Sequence, residues 1–286
     1  MKAFLGMGLL GSNFTRALLQ KGSKVQVWNR TAAKAKDLEQ YGAIAFETPA
    51  EAVKDADIVH ITLKDDAAVD EVLAKAKGGL MPGAIIIDHT TTSVQGAVDR
   101  TRRWKEKGFM YQHAPVFMGP QNALQATGFM LVSGDQQLIN RLKPELTPMT
   151  GKLINFGEEA GKAAAMKLLG NSFLVVFTAG IADTLTLAKA LKIPSGDLLT
   201  LFGEWNPGSS LPARLKGMAS GNYDSPSWEL NMARKDTGLF MEEAKNGGTA
   251  LNVIPTIATV MDAWIAKGFG NKDWTVIGKD AVQVTG

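Results

Sequence analysis

Short apolar runs rich in β-branched residues alternate with amphipathic stretches over the first half of the chain, which is the rhythm of strands joined by crossover helices in a parallel sheet. Strands are predicted at Ala3–Leu5, Val25–Trp28, Ile58–Leu63, Ala84–Asp88, Met110–Val116 and Phe129–Ser133. Between the first two, Asn13–Lys21 places Phe14, Ala17 and Leu18 on one helical face and is stopped by Gly22. Thr48–Lys54 reads as another helix, with Pro49 in its first turn. Near residue 157 the rhythm changes. Glu158–Lys192 contains no proline and keeps a helical apolar spacing throughout, predicting one helix of roughly 52 Å at 1.5 Å per residue. A helix that long usually bridges domains or subunits. Ser195–Phe202, Leu211–Ala219, Glu229–Asn246 and Asn252–Gly268 then read as helices between Pro and Gly signals. The expected fold class is α/β: a doubly wound parallel sheet over residues 1–160, then an all-helical domain over residues 161–286.

Composition narrows the chemistry. A chain of 286 residues exceeds one ordinary core of about 100–200 residues, in keeping with two domains. Its 45% hydrophobic and 21% charged residues exclude wholesale disorder. The absence of cysteine excludes disulfides, thiolate nucleophiles and Cys-based metal sites. With 31 Lys and Arg against 28 Asp and Glu, the surplus suits a small anionic ligand rather than nucleic acid. Met1-Lys2 runs directly into a strand, so no secretory signal and a cytoplasmic location are expected. Leu168–Ala182 carries Asn171, Ser172 and Thr178 and falls short of the roughly 20 apolar residues of a membrane span, so it is read as a buried helix with no membrane partner.

The first strand is followed at once by Gly6-Met7-Gly8-Leu9-Leu10-Gly11 and a helix, the strand–turn–helix context that gives a GxGxxG its meaning. Gly6 allows the tight turn, Gly8 admits the backbone to a pyrophosphate, and Gly11 lets helix and strand pack closely, with the helix N-terminus facing the anion. The expected architecture is thus a Rossmann-type domain, with Leu9, Leu10 and Leu63 also against the cofactor. The second strand ends at Asn29-Arg30-Thr31, where an NAD site ordinarily presents an acid to the ribose 2′-hydroxyl. Arg30 instead suits a 2′-phosphate, flanked by the neutral donors Asn29 and Thr31, so NADP (NADPH) is the expected cofactor. A solvated loop arginine is the alternative.

Farther on, Lys167 and Asn171 stand four residues apart on one face of the long helix, interrupted by Gly170 and Gly180. A ligand or another backbone approaching closely would explain the glycines. A snorkelling lysine beside a solvated asparagine fits the same spacing.

Taken in order, the nucleotide motif, Asn29-Arg30-Thr31, Asp88-His89-Thr90-Thr91, His113-Ala114-Pro115-Val116, Gly161 to Lys167 to Asn171, and Lys235-Asp236 resemble the β-hydroxyacid dehydrogenase family over essentially the whole chain. The resemblance implies hydride transfer between nicotinamide and a small carbonyl or hydroxyacid substrate. It also implies Lys167 as general acid in reduction and base in oxidation, and Asn171 holding the substrate oxygen or the lysine. By the same resemblance Thr91 lies near the nicotinamide ribose and substrate, Lys235 near the cofactor, Asp236 beside that lysine, and Trp228 forms a pocket wall. Ordinary core is the other reading of Trp228. Relatives usually read Asp-Ala-Pro-Val-Ser-Gly-Gly, whereas this chain reads His113-Ala114-Pro115-Val116-Phe117-Met118-Gly119. Phe117, Met118 and Gly119 are expected to face substrate, and the lost hydroxyl makes a bulkier or less polar carbonyl plausible. The backbone amides of Met118 and Gly119 remain candidates to bind an anion. An imine reductase shares this architecture, although such enzymes usually lack the lysine; a silent NADP-binding sensor is the rival from another class.

His60, His89 and His113 read as scattered, so no metal is expected. Arg100, Arg102, Arg103, Lys105 and Lys107 read as a solvated helical face. The long helix and apolar second half predict a homodimer or larger homo-oligomer.

Overall fold

The computed structural model describes residues 1–282. The chain divides into two compact units, Met1–Ser172 and a second beginning at Phe173, so the division falls inside the long helix.

The first unit alternates strand and helix: β1 (Lys2–Leu5), α1 (Leu9–Gln20), β2 (Val25–Trp28), α2 (Ala32–Lys36), β3 (Ile44–Ala45), α3 (Pro49–Ala52), β4 (Ile58–Ile61), α4 (Asp66–Ala76), β5 (Ile85–Asp88), α5 (Val94–Glu106) and β6 (Met110–His113). These strands form one parallel six-stranded sheet in the order β3-β2-β1-β4-β5-β6. Both faces are covered, which is why the strands read as continuous apolar runs. Phe4, Ile85 and Ile87 pack with Phe14 and Leu18 on one face, while Ala3, Leu5 and Ile86 pack with Val69 and Leu73 on the other.

The predicted strand Met110–Val116 is two strands in two sheets. Pro115 has no N–H to donate to a ladder, and the chain breaks there into β6 and β7 (Val116–Phe117). After α6 (Pro120–Gln125), β7 pairs antiparallel with β8 (Phe129–Val132). Beyond α7 (Gln136–Leu146), β9 (Lys152–Asn155), which the pattern did not reveal, pairs parallel with β8.

The long helix, α8, runs from Lys162 to Ala190 over 29 residues, shorter than predicted. Gly161 precedes it at φ 86°, and a Cβ there would come 2.7 Å from Val98 Cγ2. Lys192 lies beyond its end at φ 58°. The buried helix expected here is instead largely uncovered in the single chain. Of its most apolar eighteen-residue window, 11% is buried, and by length and composition it is apolar enough to cross a membrane. Its apolar side chains run around the whole helix, and one chain does not cover them all.

The second unit continues with α9 (Ser195–Glu204), α10 (Leu211–Ser220), α11 (Leu230–Asn246) and α12 (Ile254–Trp264). Tyr223, Leu230, Ala233, Met261, Trp264 and Val276 form its core. Asp183, buried on α8, accepts from the N–H groups of Asn252, Val253 and Ile254 at 2.8, 2.8 and 3.0 Å, capping the approach to α12. Burial alone would raise that carboxyl, but the three backbone donors outweigh it and hold it below the ordinary value.

Candidate active site

β1 delivers the chain into Gly6 at φ 100°, where a Cβ would come 2.2 Å from Thr62 O. A Cβ on Gly11 would come 1.9 Å from Gly6 O, whereas nothing lies within 4 Å beside Gly8. Two glycines are thus needed to close the turn, and the third leaves open space. α1 has Gly8 as its N-cap with no side-chain cap, so the first N–H groups of the helix are left for a ligand. A cavity of about 830 Å³ opens there, lined by Gly6, Gly8, Leu9, Leu10, Asn29, Arg30 and Leu63. Those seven expected cofactor residues therefore meet in one place. The open face at Gly8, the uncapped helix and the size of the cavity fit a dinucleotide.

Gly11 and Thr31 do not line the cavity. Gly11 serves packing, and Thr31 precedes α2 as its N-cap. Asn29 is already engaged: its Oδ1 accepts from Met7 N at 3.0 Å and its Nδ2 donates to Thr31 O at 2.9 Å. It holds the turn in shape rather than offering a free donor. Lys34, Lys64 and Trp28 also line the cavity and were missed. Lys34 follows Arg30 closely in the chain, and that proximity was the available signal for the first of them. Glu71 lines the same cavity, but its carboxylate accepts from Lys75 at 2.5 Å.

Thr91 is exposed at the apex of a loop pinned on both flanks. Thr90 N donates to Asp88 Oδ1 at 2.9 Å, Thr90 Oγ1 accepts from Leu63 N at 3.0 Å, and His113 Nε2 donates to Thr90 O at 2.9 Å. On the other flank Ser93 N donates to Asp66 Oδ2 at 2.8 Å. Arg100 joins the two flanks. Contrary to the solvated face expected of it, it is fully buried, donating to Asp66 Oδ1 at 2.6 Å and to Tyr111 Oη at 3.1 Å. Tyr111 Oη donates in turn to Asp88 Oδ2 at 2.6 Å. These partners come from α4, β5 and β6, so no local pattern announces them.

His60 and His89 are likewise in contact rather than scattered, because β4 and β5 are sheet neighbours. Their rings stack with centroids 5.3 Å apart, Nδ1 of His60 lies 3.1 Å from Nε2 of His89, and Phe4 and Phe14 flank them. The Ala114 carbonyl only accepts, so His89 Nδ1 donates to it at 2.8 Å and its Nε2 accepts from His60. His60 Nε2 then faces Glu145 Oε1 at 3.2 Å, and Lys2 Nζ donates to the same oxygen at 2.7 Å. Burial, helped by the neighbouring His60, pushes His89 down to about 3. Burial would raise Glu145, but His60 and Lys2 outweigh it and hold the carboxyl at about 2. Both groups bind protons more weakly folded than unfolded, so the stability they contribute is present above their ordinary values and is lost as pH falls. His89 acts below about 6.5 and Glu145 below about 4.5. Chemical denaturation should therefore show the wild type losing about 2–3 kcal/mol through His89 alone between about pH 6.5 and 4.5. His89→Gln should flatten that slope; an unchanged slope would contradict the assignment. Among the described residues no His, Cys, Asp or Glu side chains group in threes to hold a metal.

Lys167 is 8% exposed on α8, and its Nζ donates to Asn171 Oδ1 at 3.0 Å. The one-turn spacing read from the sequence is thus a contact. Burial lowers the lysine's pKa below its ordinary value. Its Nζ also lies 4.2 Å from the centroid of the Phe117 ring, at the end of β7. The next residue, Met118, lines the nucleotide cavity. One short strand and its following turn therefore touch both the lysine and the cavity. The Gly119 N–H, a candidate anion donor, is taken by Asn122 Oδ1 at 2.9 Å.

In the second unit, Lys235 and Asp236 are adjacent on α11 and paired at 2.8 Å, with the lysine half exposed. Trp228 meets Trp274 edge to face, with centroids 5.5 Å apart, and keeps 38% of its surface exposed. It is therefore not ordinary core.

The family model of the NAD binding domain of 6-phosphogluconate dehydrogenase matches residues 2–157. An uncharacterized oxidoreductase of Bacillus subtilis (strain 168) is 29% identical over 285 residues, covering 96% of this chain and 97% of the relative. The 3-sulfolactaldehyde reductase of Escherichia coli (strain K12) is 28% identical over 283 residues, covering 96% and 93%. Among solved structures, the imine reductase from Myxococcus stipitatus in complex with NADP+ superposes with a TM-score of 0.88 at 22% identity, over 98% of this chain and 99% of that one. At that identity the likeness speaks for the fold alone.

Proposed function

Because this chain belongs to the β-hydroxyacid dehydrogenase family and is an NAD(P)-dependent oxidoreductase, we propose that it is an NADPH-dependent reductase of small carbonyl compounds with Lys167 as general acid. The observation that carries this reading is the buried Lys167, bonded to Asn171 beside Phe117, one residue from the wall of the nucleotide cavity. Bound NADPH supplies a hydride. The Lys167 ammonium donates to the carbonyl oxygen, stabilises the alkoxide as it develops and delivers the proton to it. Its lowered pKa eases that delivery. In the opposite direction the neutral amine accepts the alcohol proton. Asn171 fixes the direction in which the ammonium points. By the family resemblance, Thr91 is the further residue assigned to the nicotinamide ribose and substrate, Lys235 to the cofactor, and Asp236 and Trp228 to the substrate.

Preference for NADP rests on Arg30 and Lys34, two cations lining the cavity, with Glu71 of the same lining compensated by Lys75. Consumption of NADPH by the purified protein on addition of aldehydes or ketones tests the reading. No consumption with any carbonyl would contradict it.

The protein acts as a homodimer in this proposal. Support comes from α8, where Phe173, Leu174, Val175 and Val176 are each 50–68% exposed, an apolar flank larger than a stable monomer ordinarily leaves in water. Light scattering should give twice the mass of one chain without detergent. A monomer, or a protein released only by detergent, would count against the dimer.

A further inference from the structure

Phe117 does not hang free beside Lys167. The tip of its ring rests on the backbone of α8 at Gly170, where a Cβ would come 2.3 Å from Phe117 Cζ. Glycine in a helix interior costs about 0.8–1 kcal/mol against alanine, and here it makes the room that the ring fills. Phe117 and Gly170 form one paired feature, and the pair sets the ring against the lysine ammonium, 4.2 Å from the ring centroid.

The Gly119 N–H and one Lys167 N–H are already engaged. Gly119 N–H donates to Asn122 Oδ1 at 2.9 Å, and Asn122 Nδ2 donates to Thr127 Oγ1 at 3.0 Å, closing the start of α6. Lys167 Nζ donates one of its three N–H groups to Asn171 Oδ1 at 3.0 Å, which leaves two to reach the reacting oxygen. Beside the lysine a substrate meets the Phe117 ring and finds no serine hydroxyl there. A carboxylate beside the reacting carbonyl would press against that ring, shed water and find no donor from Gly119 in return. A flat apolar substituent would stack on it.

We propose that Phe117, seated on Gly170, is the specificity-determining residue of the site and selects uncharged aldehydes and ketones with an apolar or aromatic substituent over carbonyl acids. The inference rests on the reductase reading above and names the substrate class of that same site.

The test compares kcat/KM with NADPH for butanal and succinic semialdehyde, which share a four-carbon chain and differ in the carboxylate, with benzaldehyde as the aromatic probe. The wild type should favour butanal over succinic semialdehyde by about tenfold or more, and Phe117→Ser should move that ratio about tenfold towards the acid, chiefly through KM. Gly170→Ala, which unseats the ring, should move the ratio the same way. Phe117→Leu keeps the apolar bulk, so it should retain the preference for butanal over the acid while losing rate on benzaldehyde relative to butanal. NADPH affinity, read from cofactor fluorescence, should be unchanged in every variant. Wild-type preference for succinic semialdehyde, or an equal ratio in wild type and Phe117→Ser, would overturn the inference and leave the reductase reading standing. Tight NADPH binding with no turnover of any carbonyl would overturn the reductase reading, and this inference with it.

Discussion

Lys167→Met is expected to lower kcat for carbonyl reduction by roughly 10²- to 10⁴-fold, the usual worth of a positioned general acid, while NADPH still binds. Methionine keeps the length and apolar stem of the side chain, so the helix and its packing on Phe117 persist. What disappears is the ammonium that donates to Asn171 and, in the proposed mechanism, to the carbonyl oxygen. The wild-type pH profile should carry the same signature. Burial lowers the lysine pKa, so reduction should fall off on the alkaline side at a lower pH than an exposed lysine would give. The limb should vanish in Lys167→Met. Near-normal kcat in the variant, measured by NADPH consumption, would remove Lys167 from the chemistry.

The second large effect concerns cofactor choice. Arg30→Ala should weaken NADPH binding by roughly 10- to 100-fold, as expected for the loss of hydrogen bonds to a charged group worth about 1.5–3 kcal/mol. NADH, lacking the 2′-phosphate, should bind the variant about as well as the wild type. Lys34 lines the same cavity and should retain part of the preference, so Arg30→Ala with Lys34→Ala should discriminate less than either single variant. Titration of both cofactors against the variants checks this. An undiminished preference for NADPH in the double variant would place phosphate recognition elsewhere.

The parts of the site that were legible in the sequence are those fixed by local geometry. Gly6, Gly8 and Gly11 sit in a turn whose close contacts, 2.2 Å at Gly6 and 1.9 Å at Gly11 for an added Cβ, only glycine satisfies. Lys167 and Asn171 are one helical turn apart, and that spacing becomes a hydrogen bond without help from elsewhere. Arg100, His60 and His89 were misread for the opposite reason. Their partners come from strands and helices distant in the chain, and composition made Arg100 look like one more surface cation in a basic segment. The second sheet was hidden because Pro115 lies within an apolar run that otherwise reads as one strand, and because β9 is short and half-buried. Phe117 was visible as a departure from the family loop. Its seat on Gly170 was not, since those two residues lie on β7 and α8.

In the proposed reaction a hydride passes directly from NADPH to a carbonyl carbon. Incubation of the wild type with NADPH deuterated at the transferring face of C4 and an unlabelled aldehyde, followed by mass spectrometry of the product, tests it most directly. The product should be an alcohol carrying one deuterium on the former carbonyl carbon, absent with Lys167→Met on the same timescale. An unlabelled product, or none while the cofactor stays bound and reduced, would contradict it.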